Sequence, residues 1–195
     1  MGALEDSTVY LSGAVEFDSS SSWRGDLTKR LESIGLKVFN PLIKPSWFPN
    51  ITGEMQNQWK ECLGKKDKKF FERVNCDFYL AANDQVRDYC LYLVSQANFV
   101  ILYLNDNIRT FGSFEELSLC KMKPVFIVSD ISDIPSMWLV SQLGLGQENW
   151  GRYFHRSFDS LVNTLGEINS NGSSSFGLKE RLKWFWLSYW GADHV

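Results

Sequence analysis

Apolar blocks separated by turn residues give the first frame. Phe99, Val100, Ile101, Leu102, Tyr103 and Leu104 form a short β-branched and aromatic run that stops at Asn105, Asp106 and Asn107, the pattern of a buried strand. Val125, Phe126, Ile127 and Val128, opened by Pro124, form a second such run. Between them, Gly112, Ser113, Phe114, Glu115, Glu116 and Leu117 read as a helix start. Ser113 is the candidate N-cap, and Glu116 sits three residues on, at the capping-box position. Strand, helix and strand within about 30 residues make a βαβ unit, parallel and right-handed. Reactive groups in such sheets gather beyond the carboxyl ends of the strands.

The same grammar runs through the rest of the chain. Residues 8–14 read as a first strand that ends in the small residues Ser12, Gly13 and Ala14, where a ligand can approach the backbone. Residues 16–22 are a polar loop. Trp23, Leu27, Leu31 and Ile34 repeat at helical spacing until Gly35. Residues 36–39 form a second strand, closed by Asn40 and Pro41. Residues 42–83 fit the sheet poorly: Pro45, Pro49 and Gly53 break the first part, and the charged stretch 65–73 reads as a helix with Phe70 and Phe71 inward. This segment reads as a lid or insertion. A helix is expected from Asp84, with Val86, Cys90, Leu93 and Val94 as its apolar stripe and Asp88 near its start. Further on come a short helix around Met137, Trp138, Val140 and Leu143, a fifth strand at 152–155, and a helix capped by Ser157 that runs to about Ile168. Residues 169–175 read as a linker. A last helix over 178–190 carries Leu178, Leu182, Phe185, Trp186 and Tyr189 on one face.

The expected fold is therefore α/β: a Rossmann-like or flavodoxin-like doubly wound sheet of about five parallel strands with helices on both faces. The expected organisation is an α/β domain over 1–168, with 42–83 inserted, and a linker plus aromatic helix over 169–195. The 195 residues, 44% hydrophobic and 15% aromatic, suffice for one sizeable core and argue against disorder. A formal net charge of -3 gives no overall basic field, hence no strong nucleic-acid signal. Cys62, Cys76, Cys90 and Cys120 show no paired metal-type spacing, and no secretory pattern opens the chain; they read as reduced thiols of a cytoplasmic protein. No apolar run is long enough to span a membrane. His155 and His194 lie far apart, so neither a metal nor another cofactor is expected.

Four polar features stand where chemistry would occur. Glu116 opens a helix, where a carboxylate is favoured for capping alone. Asp88 can be a helix charge, Tyr10 a core residue and Arg24 a solvated helix cation. Their joint placement is what matters: the first strand and the helices on either side of the third strand bring polar groups to one edge of the sheet.

Read together, Tyr10-Leu11-Ser12-Gly13-Ala14, Trp23-Arg24, Arg87-Asp88 ahead of Ser95-Gln96-Ala97-Asn98, Gly112-Ser113-Phe114-Glu115-Glu116 and Lys123-Pro124-Val125 resemble the nucleoside 2-deoxyribosyltransferase family and the related nucleoside 5′-monophosphate N-glycosidases. The resemblance implies that Glu116, not Glu115, is the nucleophile on the anomeric carbon. It implies that Asp88 stands near base and sugar and that Tyr10 orients the glutamate. N-glycosidic cleavage passes through an oxocarbenium-like state that a carboxylate stabilises and traps, before water or a second base takes the sugar. Where the nucleoside transferases carry an Asp two residues before the loop glycine, this chain has Thr110. Ser136 is the nearest match to the position that the family supplies from a neighbouring subunit. Hydroxyls at both places, with Arg109 or Arg24 as cation, suit phosphate oxygens. The backbone N–H groups at Gly112 and Ser113 open a helix, a favourable place for an anion. Ser12, Gly13, Arg24, Arg109, Thr110, Gly112, Ser113 and Ser136 are thus the expected substrate-binding residues, the partner a nucleoside or nucleotide, and the assembly a homodimer or larger. A nucleotide-binding sensor without turnover, or an interaction module built on the C-terminal aromatic helix, are the alternatives.

Overall fold

The computed structural model describes residues 3–13, 23–43, 77–104, 111–120, 123–129 and 153–171. Five strands form one parallel sheet: β1 (Thr8–Gly13), β2 (Lys37–Phe39), β3 (Phe99–Leu104), β4 (Val125–Ser129) and β5 (Phe154–His155), in the order β2-β1-β3-β4-β5. The helices are α1 (Trp23–Ser33), α2 (Asp77–Gln96), α3 (Phe111–Ser118) and α4 (Phe158–Asn171).

Two packed layers explain the sequence pattern. On one face, Val9, Leu11, Phe99, Ile101, Phe126 and Val128 meet Leu27 and Leu31 of α1 and Leu161, Leu165 and Ile168 of α4. On the other, Tyr10, Val100, Leu102, Val125 and Ile127 meet Leu93 and Val94 of α2 and Leu117 of α3. β3 and β4 are covered on both sides, and a strand covered on both sides must be apolar at nearly every position. Each such side chain contributes about 1.5–3 kcal/mol by leaving water. The α/β class with helices on both faces is as expected.

Polar side chains set the register where burial does not. Asn98 Oδ1 accepts from Thr8 N at 2.7 Å and Thr8 Oγ1 at 2.8 Å, and Asn98 N donates to Thr8 O at 2.9 Å. This joins the start of β3 to the start of β1 and puts Val9 opposite Phe99. The Nζ of Lys123 donates to Val94 O at 2.8 Å, to Ala97 O at 2.7 Å and to Ser95 O. One ammonium thereby satisfies carbonyls that the end of α2 leaves open.

Several boundaries differ from expectation. α2 begins at Asp77, not Asp84, so Asp88 lies in its second half rather than near its start. Residues 77–83 of the expected insertion belong to that helix; those beyond 43 and before 77 lie outside the described residues, as do the helices expected around 137–143 and over 178–190. β5 is shorter than the stretch 152–155. α4 follows Ser157, whose Oγ accepts from Ser160 N at 3.2 Å, as its cap requires. It continues to Asn171 through the start of the expected linker. Asn169 is held in it by bonds to Leu4 N at 2.8 Å and Ile34 O at 3.0 Å.

Candidate functional site

The chain leaves β1 for β2 on one side and returns to pair β3 on the other. That reversal opens a crevice beyond the carboxyl ends of β1 and β3, the place where ligands bind in open α/β sheets. Two side chains of β1 point to the α2/α3 face there. Tyr10 and Ser12 are two residues apart, which on a strand puts them on the same side. α3, the helix that follows β3, lays Glu116 against them. Tyr10 Oη donates to Glu116 Oε1 at 2.7 Å, and Ser12 Oγ donates to Glu116 Oε2 at 2.5 Å. One hydroxyl on each oxygen fixes the carboxylate.

This geometry replaces the expected capping box. α3 begins at Phe111, so Ser113 lies inside the helix rather than ahead of it. Both oxygens of Glu116 are held by β1 instead of turning back to the helix start.

Burial pushes the Glu116 carboxyl above the usual carboxylate range; the Ser12 and Tyr10 hydroxyls and the Arg24 charge pull the other way, and the nearby Glu115 charge adds to the rise. Burial, together with the Glu116 charge, holds the Tyr10 phenol far above its ordinary value. Tyr10 therefore keeps its proton and donates it to Glu116 in a hydrogen bond. The Cys90 thiol packs against the same cluster and adds to that rise. The next-door carboxylate is in different surroundings. Glu115 is exposed and takes Arg87 Nε at 3.0 and 2.9 Å, with Arg87 Nη2 on Oε1 as well. These bonds hold its carboxyl below the usual range and join α2 to α3 at the rim. Two adjacent glutamates thus have separate surroundings: one half-buried among hydroxyls, one tied up at the surface.

No protein-family model matches the sequence, and no curated protein does. Among solved structures, the chain is similar to a 2-deoxyribosyltransferase from the psychrotolerant bacterium Bacillus psychrosaccharolyticus, at 15% identity and a TM-score of 0.47, with 80% of this chain and 91% of that one covered. It is also similar to a conserved protein from Enterococcus faecalis V583, at 10% identity and a TM-score of 0.44, with 83% and 98% covered. These are distant likenesses in the path of the chain.

The expected site residues fall into three groups. Glu116, Tyr10 and Ser12 meet directly, although Ser12 serves the glutamate rather than standing free for a ligand. Gly13 ends β1 at φ +147°, and a Cβ there would stand 2.9 Å from the Tyr103 carbonyl oxygen and 3.1 Å from the Trp23 ring, so this close approach requires glycine. Gly112 lies in the first turn of α3, and Ser113 is buried beside it. Arg24 is the sharpest departure from the reading of a solvated helix charge: it is 1% exposed and bonded to the backbone of β1.

Asp88 does not join the cluster. Its side chain is 72% exposed, and its carboxylate lies 3.5 Å from Arg87 Nη1. It sits two residues before Cys90, roughly 200° round the helix, so the position that faces Tyr10 belongs to Cys90. Arg109, Thr110 and Ser136 lie outside the described residues. Sequence reasoning missed Cys90 and the Arg87–Glu115 pair; the apolar stripe that contains Cys90 was the available signal for the first.

Among the described residues, no group of three or more His, Cys, Asp or Glu could hold a metal ion, and no helix is long and apolar enough to cross a membrane. A cavity of about 300 Å³ opens on the opposite face of the sheet, between Tyr103, Val128, Phe158 and the Arg30–Asp159 ion pair. Glu116 is not part of it.

Proposed function

We propose that this protein cleaves the N-glycosidic bond of a nucleoside or nucleoside 5′-monophosphate with Glu116 as nucleophile. The observation that carries this reading is a half-buried carboxylate held by one hydroxyl on each oxygen at the switch point of the sheet. Each oxygen keeps a lone pair beyond its hydrogen bond. An oxygen of Glu116 attacks the anomeric carbon as the bond to the base nitrogen breaks. The base leaves with that electron pair and takes up a proton, and the sugar remains as an ester of Glu116. Water or a second base then attacks the same carbon, loses a proton, and returns Glu116 as the carboxylate. Hydrolysis and base exchange share every step but the last.

The residue types ahead of α3 favour a phosphorylated substrate. Thr110 is neutral where a carboxylate would repel a 5′-phosphate, and Arg109 stands beside it in sequence. Ser136 would be supplied by a second copy of the chain, and the aromatic C-terminal stretch supplies surface for a homodimer. A monomeric mass by light scattering at micromolar concentration refutes the dimer.

The test is incubation with a panel of nucleosides and their 5′-monophosphates, with and without an acceptor base, read by chromatography. Release or exchange of base is expected, with kcat/KM higher for the monophosphate than for its matched nucleoside. Thr110→Asp should shift that preference toward the nucleoside. Mass spectrometry of the parent with substrate should show a glycosyl adduct on Glu116, and Glu116→Gln should remove it and abolish turnover in a folded protein. Turnover that survives Glu116→Gln refutes the mechanism.

A further inference from the structure

β2 ends early. Its last residue, Phe39, pairs with Tyr10, whereas β3 pairs with β1 as far as Gly13. Among the described residues, no strand lies beside Leu11, Ser12 and Gly13 on the β2 side. Carbonyls of alternate residues in a strand point the same way, so those of Leu11 and Gly13 share that open side with the paired edge at Val9. An unpaired carbonyl away from water is costly.

Arg24 occupies this gap from the first turn of α1. Its Nε donates to Leu11 O at 3.4 Å and its Nη2 to Gly13 O at 2.8 Å. The guanidinium lies 4.4 Å from the centroid of the Trp23 ring, and Trp23 is stacked on Phe158 of α4 and packed against Tyr103 of β3. A rigid fork with donors on two sides can span carbonyls at i and i+2, which a single ammonium cannot do with the same geometry. The residue between those two carbonyls is Ser12.

We propose that Arg24 is a positioning residue of the active site: by clasping the carbonyls on either side of Ser12, it holds the Ser12 hydroxyl on Glu116 and sets a fixed positive charge behind the carboxylate. Resting on the reading of Glu116 as nucleophile, this removes Arg24 from the residues available to a substrate phosphate and gives it a different task. Among the described residues, the groups that act on Glu116 are Tyr10 and Ser12 from β1, Arg24 from α1 and Glu115 from α3, with Cys90 of α2 acting on Tyr10. Arg24 is the cation among them. It favours the ionised carboxylate against burial, the state that a nucleophile needs.

The experiment uses full-length protein with Glu carboxyl carbons labelled by ¹³C, the Glu116 resonance being assigned by its loss in Glu116→Gln. Titration is compared in the parent, Arg24→Met and Arg24→Lys, alongside kcat and KM on the substrate that the panel identifies. In Arg24→Met the Glu116 midpoint should move to higher pH, the acid limb of the kcat profile should move with it, and kcat should fall by about ten- to a hundredfold with KM little changed. Arg24→Lys keeps the charge but not the fork. It should restore most of the midpoint and less of kcat, and it carries the comparison if Arg24→Met does not fold. An unchanged Glu116 midpoint in the folded variants overturns the proposal, and so does a rise in KM at constant kcat, which would mark a substrate contact. The titration needs no substrate: if the panel shows no turnover in the parent, the proposed activity fails while the placement of Arg24 is still decided by the midpoint.

Discussion

Tyr10→Phe removes one hydroxyl from a ring that is fully buried, and leaves the shape of the core unchanged. What is lost is the 2.7 Å bond to Glu116 Oε1. A hydrogen bond to an ionised group contributes about 1.5–3 kcal/mol, and one between neutral groups about 0.5–1.5 kcal/mol. The cost should therefore depend on pH through Glu116. The folded-state value of Glu116 is raised, so the neutral carboxyl is the form that folding favours, and parent stability falls as pH rises from the ordinary carboxylate value through the raised one. Removing a donor that favours the anion raises the folded value further and steepens that fall. With about 2–4 °C in Tm per kcal/mol for a chain of this size, the variant should melt roughly 3–12 °C below the parent where Glu116 is ionised, and roughly 1–6 °C below it where Glu116 is neutral. Thermal melts of both proteins across about pH 4 to pH 8 measure this, and the same comparison in a Glu116→Gln background should show only the smaller, pH-independent loss. A Tyr10→Phe loss of equal size at both ends of the range refutes the view that this hydroxyl serves the carboxylate.

Glu115→Gln removes a like charge near Glu116, so the Glu116 midpoint and the acid limb of activity should move to lower pH, with Tm nearly unchanged because the Arg87 pair is exposed; a shift to higher pH would contradict the electrostatics. Lys123→Met should cost about 1.5–3 kcal/mol in urea unfolding and speed amide exchange at the end of α2, since three carbonyls lose one shared donor; exchange there at the parent rate would refute the capping role. Gly13→Ala should cost more than about 1 kcal/mol, because the backbone is at φ +147° and the added carbon meets the Tyr103 carbonyl oxygen. Unchanged stability would show that the end of β1 relaxes freely.

What the sequence determined by itself is what depends on neighbours along the chain. The runs 99–104 and 125–128 read as strands covered on both faces because they are short, β-branched and aromatic, and bounded by turn residues. The helical repeat of Trp23, Leu27 and Leu31 and its stop at Gly35, which adopts φ +89°, were local matters too, as was the Ser157 cap. Glu116 was singled out from Glu115 through the family resemblance. The tertiary structure decided whatever depends on groups brought from elsewhere. α2 runs through Asn83 and Asp84 because polar residues weaken a helix only slightly while tertiary packing sustains it. The capping box at Ser113 and Glu116 gave way because β1 presents two hydroxyls to a carboxylate that would otherwise have turned to its own helix. The resemblance singled out Asp88; only the rotation of α2 shows that Cys90, two residues on, is the one that packs beside Tyr10. Arg24 looked like a surface charge because no local pattern gives the register that carries β1 past the Asn40–Pro41 stop of β2, and the carbonyls this leaves open on β1 draw the guanidinium into the core.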